Sequence, residues 1–499
     1  MLIGLHLAIA LTLAYWLNIW ADEGSTLYAT QDGFLTAFHN AASEQRQAPL
    51  YFWLLSLWRS INQSIFFARA FSVICSAIAI WVFARTAERL FSARTALLAT
   101  AFFALHPYLF WASLEIRVYS FTILLTIILI RTFFVAFWQE DEKWQSHVRY
   151  PKAWFLIVAI VALYTNYYLG FVLVGLFVAL LVTRKWREAL NYLGLMLVAG
   201  LAFLPLAVDL RAELLAKRGG YQDEKYVIEG LRTLWHHVHT FVLPTEILTD
   251  NEPSILSVIR LWLMRALVVA LAIAAIIKRR SLSQNTLILG AIAGTICLLM
   301  LIAYFFVGTQ YIAIRHAAML FVPAVLGLAS LLSDIFHETS ERVLRPLIAI
   351  ACVVVAVSFS YSLITLYPNV TKRGDWARVA EFIRQNEGPN EPIVVFTTFD
   401  ALSLPYYYKG ANRILPDERF FDFPAPQEAP GSSESLVLET NFVISEIPPE
   451  AERVWLAVNE KCLVTRACVP LQNYIDANYT IEIERDFYLE KLYLLRKKQ

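Results

Sequence analysis

Charge is what this sequence is short of. Only 17% of its 499 residues are Asp, Glu, Lys or Arg, where a soluble domain carries about 25%. The balance is almost neutral, with 42 basic against 41 acidic side chains and a formal charge of +1. A chain without a basic excess has no electrostatic footprint for DNA or RNA, so no nucleic-acid partner is expected. Cysteine is scarce as well: five residues do not make a disulfide scaffold. Cys75, Cys297 and Cys352 fall inside apolar runs and read as buried filler. Cys462 and Cys468 lie close together near the C-terminus, where an oxidising compartment would permit a bridge that spacing alone does not establish. Low-complexity blocks and internal repeats are missing too, since the 18 Gly and 19 Pro are scattered.

What is abundant is apolar surface. Hydrophobic residues make up 58% of the chain and the mean hydropathy is +0.53, against about 45–50% apolar residues in soluble domains. Apolar runs long enough to cross a bilayer, about 17–22 residues, read as spanning helices. Eleven are expected, at 2–20, 68–87, 95–113, 119–138, 153–166, 168–183, 190–209, 257–277, 285–306, 316–335 and 345–365. The fifth is short and forms a tight hairpin with the sixth around "YTNYY" at 164–168. The first run has no basic residue before it and no small-residue cleavage pattern before Asp22, so a retained helix is expected rather than a signal peptide.

Lys and Arg in the short loops set the orientation. Arg85, Arg89 and Arg94, then Lys143, Arg149 and Lys152, then "RKWR" at 184–187, "KRR" at 278–280, and Arg342 with Arg345 mark one face as cytoplasmic. The loop at 21–67, the turn at 114–118, the hairpin at 164–168, the loop at 210–256, the turn at 307–315 and the tail from 366 share the other face. The N-terminus is then inside and the C-terminal region outside.

After Tyr367 the composition changes. "GDWARVAEFIRQNEGPNEPIVVFTTFDALSLPYYYKG" reads as helix, turn, strand and a further helical stretch. "RVWLAV" at 453–458 and the segment 479–497 read as strands, and most of 411–450 as loop. The expected fold is therefore a polytopic α-helical membrane protein of about eleven spans, with a C-terminal soluble α/β domain. The expected division is a membrane module at 1–366 and an outer domain at 367–499. "PLYFWLLSLW" at 49–58 is too short to span and suits a helix lying in the interface, so the first outer loop should fold back on the membrane as short helices.

Ionisable residues collect on the outer face. Asp22 and Glu23 follow the first run, Glu115 and Arg117 sit in the turn "WASLEIRVYS", and Arg315 with His316 opens the tenth run. Charged groups at span ends face a cavity more often than lipid. A carboxylate can act as general base for a hydroxyl, and an arginine can hold a phosphate, including one that leaves. Such a set, opening to lipid, suits transfer from a lipid-linked phosphate. Blander readings stand beside it. Asp22 can cap a helix, Glu23 can be a helix-start acid, Glu115 and Arg117 can form a surface ion pair, and Arg315 can snorkel to headgroups. "HHVH" at 236–239 places His236 and His239 on one helix face without an acid or Cys at a ligand spacing, so an interfacial helix is expected there rather than a metal site.

These residues carry a resemblance. "ADEGSTLYA" after the first run, "APLYFWLLSLW", "HPYLFWASLEIRVYSFTILL", "YTNYYLGFVL" and "RGDWARVAEFI" stand in an order that resembles the GT-C class of membrane glycosyltransferases. The likeness is to the bacterial branch related to protein O-mannosyltransferases and lipid A aminoarabinose transferases. It covers roughly 1–210 well, the Arg315 region weakly and the tail in outline. It implies an inverting transferase in the bacterial inner membrane, taking a sugar from a polyprenyl-phosphate donor to a glycan, lipid or protein acceptor on the outer face. Asp22 would match the catalytic base, with Glu23 and Glu115 as further acids. Arg117 and Arg315, with His316, would meet the donor phosphate; a divalent metal is compatible with the set. One departure is the first-loop motif. Where relatives carry His-Pro-Pro-Leu or Lys-Pro-Pro-Leu, this chain has Gln47-Ala48-Pro49-Leu50. Two other classes of reading remain: a transporter or flippase of lipid-linked sugars, for which no paired broken spans are found, and a surface-polysaccharide ligase or polymerase.

Overall fold

The structure, a computed structural model, describes the chain except residues 44–46, 139, 146–147, 217–223, 243–254, 308–312, 338–339, 397, 417–432 and 460–468. Cys462 and Cys468, and with them the expected bridge, lie outside the described residues.

In chain order the helices are α1 (Leu2–Trp16), α2 (Ala21–Ala29), α3 (Phe34–Ser43), α4 (Leu50–Arg59), α5 (Ile65–Leu90), α6 (Ala93–Leu105), α7 (Pro107–Ser113), α8 (Tyr119–Phe137), α9 (Pro151–Thr165) and α10 (Leu169–Val182). They continue with α11 (Trp186–Ala216), α12 (Glu224–Val242), α13 (Ile255–Ile277), α14 (Gln284–Val307), α15 (Ala318–Ile335) and α16 (Glu341–Leu366). The tail adds α17 (Trp376–Asn386), α18 (Ser433–Glu446) and α19 (Val469–Asn478), with strands β1 (Ile393–Phe396), β2 (Ile414–Leu415), β3 (Arg453–Asn459), β4 (Tyr479–Phe487) and β5 (Glu490–Lys497).

All eleven expected runs fall on helix. Among the described residues seven helices are long and apolar enough to cross a membrane, or up to nine if two broken pairs each count as one span. Helices α9 and α10 are apolar but shorter. This is a multi-pass membrane protein. Two expected spans are interrupted. The run 95–113 bends by 50° between α6 and α7, where Pro107 has no N–H to continue the ladder and the His106 ring caps the Tyr108 N–H at 3.1 Å. The run 2–20 stops at Trp16, and Asn18 turns its amide to backbone groups.

The chain packs as two units, Met1–Ala14 with Arg46–Leu366, and Tyr15–Gln45 with Tyr367–Gln499. Of the first outer loop, expected with the membrane module, residues 21–45 pack with the tail and residues from 46 on with the first unit. In the first unit polar pins join apolar helices: His6 bonds Ser76 Oγ at 2.9 Å and the Ala104 carbonyl at 3.0 Å, joining α1, α5 and α6. Phe83 stacks on Phe103 at 4.2 Å, and Phe103 on Phe321 at 5.1 Å. The "YTNYY" hairpin forms as expected. Asn166 donates to Thr122 Oγ1 at 3.0 Å and accepts from the Tyr168 N–H at 3.0 Å.

The second unit is built on a sheet in the order β2-β1-β3-β5-β4, with β1 parallel to β2 and β3, and β5 antiparallel to β3 and β4. "IVVF" in β1 is buried throughout, as a central strand covered on both faces must be. Val394 and Phe396 face a core with Val443, Ile447, Leu471 and Ile475 from the α18 and α19 region. Ile393 and Val395 face a second core with Trp376, Val379 and Ile383 of α17. Two expectations change here. The stretch after β1 forms short 3-10 turns at Thr398–Leu402 and Leu404–Tyr406, with Pro405 in the second, rather than a helix. Part of 411–450 is helical, because Val443 of α18 and the following Ile447 supply core side chains.

Glu490, at the start of β5, is buried and neither carboxylate oxygen has a hydrogen-bond partner among the described residues. Burial, reinforced by the nearby Asp400 and opposed by Arg373, pushes its carboxyl well above the ordinary range. The folded domain therefore holds this proton to higher pH than the unfolded chain. Stability is highest below the unfolded carboxylate range and is lost as pH rises toward the folded value, by at most about 1.4 kcal/mol per pH unit. Glu490→Gln keeps the neutral form. The full-length variant should melt above wild type at pH 8 and close to it at pH 5. A lower melting temperature at pH 8 would show that the ionised form is the one the fold accepts.

Candidate functional site

The candidate residues fall into two sets, one in each unit, and each set is built differently. Asp22 and Glu23 occupy the first turn of α2, where helix N-termini favour negative charge. Of the nine residues Ala21–Ala29, seven are buried; Asp22 and Tyr28 are partly exposed. Two adjacent acids thus have opposite environments. Glu23 has no accessible surface, and its Oε2 accepts from Lys372 Nζ at 2.9 Å, the lysine itself being 4% exposed. A buried carboxylate is tolerated when a buried cation meets it in this way. Asp22 is the more exposed acid of the pair.

The chain on either side of this ion pair is clamped. Asn18 Oδ1 accepts from the Lys372 N–H at 2.6 Å and from Thr371 Oγ1 at 2.7 Å. The Ile19 N–H donates to Tyr407 Oη at 2.7 Å. Thr371 Oγ1 also donates to Asp375 at 3.0 Å, and Arg378 donates to the other oxygen of that carboxylate at 2.9 Å. Burial raises the Asp375 carboxyl above its ordinary range against these two donors. On α2, Gly24 lies flat on the turn Thr398–Leu402: a Cβ there would stand 3.0 Å from both the Leu402 carbonyl and Ser403 Oγ.

The other set lies in the first unit. Residues 114–118, "LEIRV", are all buried, including Glu115 and Arg117, so the exposed ion pair of the bland reading is replaced by charges held inside the protein. Ser72 Oγ on α5 donates to the Glu115 carbonyl at 2.7 Å. Trp111 stacks on Tyr119 at 5.0 Å across the turn. Arg315 and His316 belong to a 3-10 turn, Ile314–Ala317, ahead of α15. Tyr108 Oη of α7 donates to the Ile314 carbonyl at 3.0 Å, and the His316 ring stacks on Tyr168 at 5.3 Å. The α7 segment, the 164–168 hairpin and the 3-10 turn thus meet, and Arg315 is carried on that junction half-buried.

Two buried arginines escaped the reading of the sequence. Arg59 ends α4, and Arg69 lies on α5 one helical turn before Ser72. Arg69 donates to the Ala14 carbonyl at 2.9 Å. The signal was present, as an arginine within the run "IFFARAFSV" is costly unless something inside the protein receives it. Lys372 was missed for the opposite reason, since a basic residue just past a span is ordinarily solvated.

His236 and His239 do share a face of α12, with ring centroids 4.8 Å apart. Burial, with His236, Arg265 and His237 nearby, pushes His239 down to about 3. Among the described residues no group of three His, Cys, Asp or Glu side chains is placed to hold a metal ion.

The sequence profile of the family described as "Dolichyl-phosphate-mannose-protein mannosyltransferase" matches residues 46–208. The match covers about a third of the chain and supports a glycosyltransferase. The matched third holds Arg59, Arg69, Glu115 and Arg117, together with the 164–168 hairpin. No curated protein matches the sequence. Among solved structures it is similar to ArnT from Cupriavidus metallidurans in the apo state (16% identity, 98% of this chain and 97% of that chain, TM-score 0.45). It is also similar to the same protein bound to undecaprenyl phosphate (12% identity, 99% and 97%, TM-score 0.41). A third likeness is to the Archaeoglobus fulgidus oligosaccharyltransferase in complex with Zn and sulfate (13% identity, 96% and 71%, TM-score 0.47). At these scores no residue role is carried over from them.

Proposed function

We propose that this glycosyltransferase moves a sugar, with inversion, from a polyprenyl-phosphate donor to a hydroxyl acceptor on the outer face of a bacterial inner membrane. The observation that carries the reading is the contrast within α2: Glu23 is sealed by Lys372 while Asp22 stays accessible. Asp22 is the general base that takes the proton of the acceptor hydroxyl. The hydroxyl oxygen attacks the anomeric carbon from the side opposite the phosphate. The C–O bond to the phosphate breaks and its electron pair leaves with the polyprenyl phosphate, which needs no proton. Arg315, His316 and Arg117, all in the first unit, are assigned to that phosphate, with Glu115 as a further acid. The family profile supports the choice of a lipid-phosphate donor. The acceptor is a glycan, lipid or protein.

The test is a donor screen. Membranes containing the protein are given undecaprenyl-phosphate-linked mannose, glucose and aminoarabinose, each radiolabelled in the sugar. Label should appear in a product no longer cleaved by mild acid, with the opposite anomeric configuration. Movement of intact labelled lipid across sealed vesicles, without transfer, would make the protein a flippase.

The orientation is tested separately. Reporter fusions at 90, 145 and 280 should report cytoplasm and one at 400 periplasm, following the distribution of Lys and Arg. A cytoplasmic report at 400 would put the proposed site on the wrong side of the membrane.

A further inference from the structure

The tail domain is where the first loop finds its seat. From the packing of residues 15–45 with 367–499, and from the contacts that produce it, we propose that Lys372 is a positioning residue for the transfer reaction. Through its ion pair with Glu23 it fixes the first turn of α2 and so aims the neighbouring Asp22. The inference rests on the reading of Asp22 as the base, and it gives the soluble domain a direct part in the site.

Four contacts point the same way. The ion pair joins residues 349 apart in the chain and is sealed from water on both sides. Asn18 reads the backbone at Thr371–Lys372 and fixes where the lysine starts. Tyr407 holds Ile19, two residues before α2 begins. Gly24, two residues past Asp22, permits the helix to touch the Leu402 carbonyl and the Ser403 hydroxyl. A nine-residue helix is too short to hold itself, so its direction is set by these tethers. The Glu23–Lys372 pair is the one nearest Asp22. Lys372 also occupies Glu23 Oε2, so the acceptor hydroxyl is offered to Asp22 and not to its neighbour.

Lysine truncation leaves a buried carboxylate alone, and the single variants risk misfolding. A cycle of full-length proteins in nanodiscs avoids that ambiguity: Glu23→Gln, Lys372→Met, and the two together, which removes both charges. Each is measured for melting temperature, for hydrogen exchange of peptides covering 18–30, and for transfer from whichever of the three undecaprenyl-phosphate sugars wild type accepts. Lys372→Met should speed exchange over 18–30 by about tenfold or more and cut kcat by about 10–100-fold, with KM for the donor within about twofold. The double variant should regain slow exchange and transfer to within about fivefold of wild type. Unchanged exchange in Lys372→Met overturns the proposal, whether or not a donor is found. So does a double variant with restored exchange but turnover still about 10–100-fold below wild type, because Glu23 then acts chemically. Asp22→Asn, run alongside, separates the two ideas: full activity there removes the base while the exchange data still judge the seat.

Discussion

Replacing Asp22 with asparagine should lower turnover by about 10²–10⁴-fold, the range that general-base catalysis contributes. The substitution keeps the size and hydrogen bonding of the side chain and removes only its capacity to take a proton. Asp22 is partly exposed on a helix whose other acid is buried, so the loss should not be accompanied by unfolding. Donor affinity should change little, because the phosphate contacts are assigned to other residues. The pH dependence carries the second half of the expectation. Wild-type kcat should fall on the acidic side as the base is protonated, and the residual activity of Asp22→Asn should lack that limb. Glu23→Gln should retain the acidic limb, since its carboxylate is already occupied by Lys372. Transfer by Asp22→Asn at near wild-type rate would remove the residue from the mechanism. Glu115, the other acid proposed for the site, would be the next base to test.

The second large effect is expected at Arg315. It sits half-buried on a 3-10 turn held by Tyr108 and by the stacking of His316 on Tyr168. A hydrogen bond to a charged group contributes about 1.5–3 kcal/mol. Arg315→Ala should therefore weaken use of the donor by about 10–100-fold, appearing in kcat/KM. Because the turn is held by its neighbours, the melting temperature should move little. An unchanged donor dependence would leave Arg315 as an anchor to lipid headgroups.

The membrane part of the fold was legible because bilayer thickness sets a length that apolar runs must reach. All eleven runs are helical, and the errors are local. The break at Pro107 could be read from the missing N–H; the stop at Trp16 could not, because it depends on Asn18 meeting Thr371 and Lys372, more than 350 residues later. The strands of the tail were legible from their β-branched runs, while α18 was masked by a Pro-, Glu- and Ser-rich surrounding. In the candidate site the acids and arginines could be named from their places at span ends. What they do could not be divided among them. Asp22 and Glu23 are adjacent and chemically alike, and only a lysine from the far end of the chain makes one buried and the other available. Likewise Glu115 and Arg117 read as a surface turn until packing shows them enclosed.

The lipid monophosphate donor is checked by offering the alternatives side by side. Purified protein in nanodiscs would be offered one sugar in three forms: linked to undecaprenyl phosphate, to undecaprenyl diphosphate, and to a nucleotide diphosphate. The account predicts transfer from the monophosphate lipid alone, with undecaprenyl phosphate released in equal amount. Transfer from the diphosphate lipid would make the protein a ligase or polymerase of the kind considered above, and transfer from the nucleotide would contradict both the lipid donor and the outer-face site.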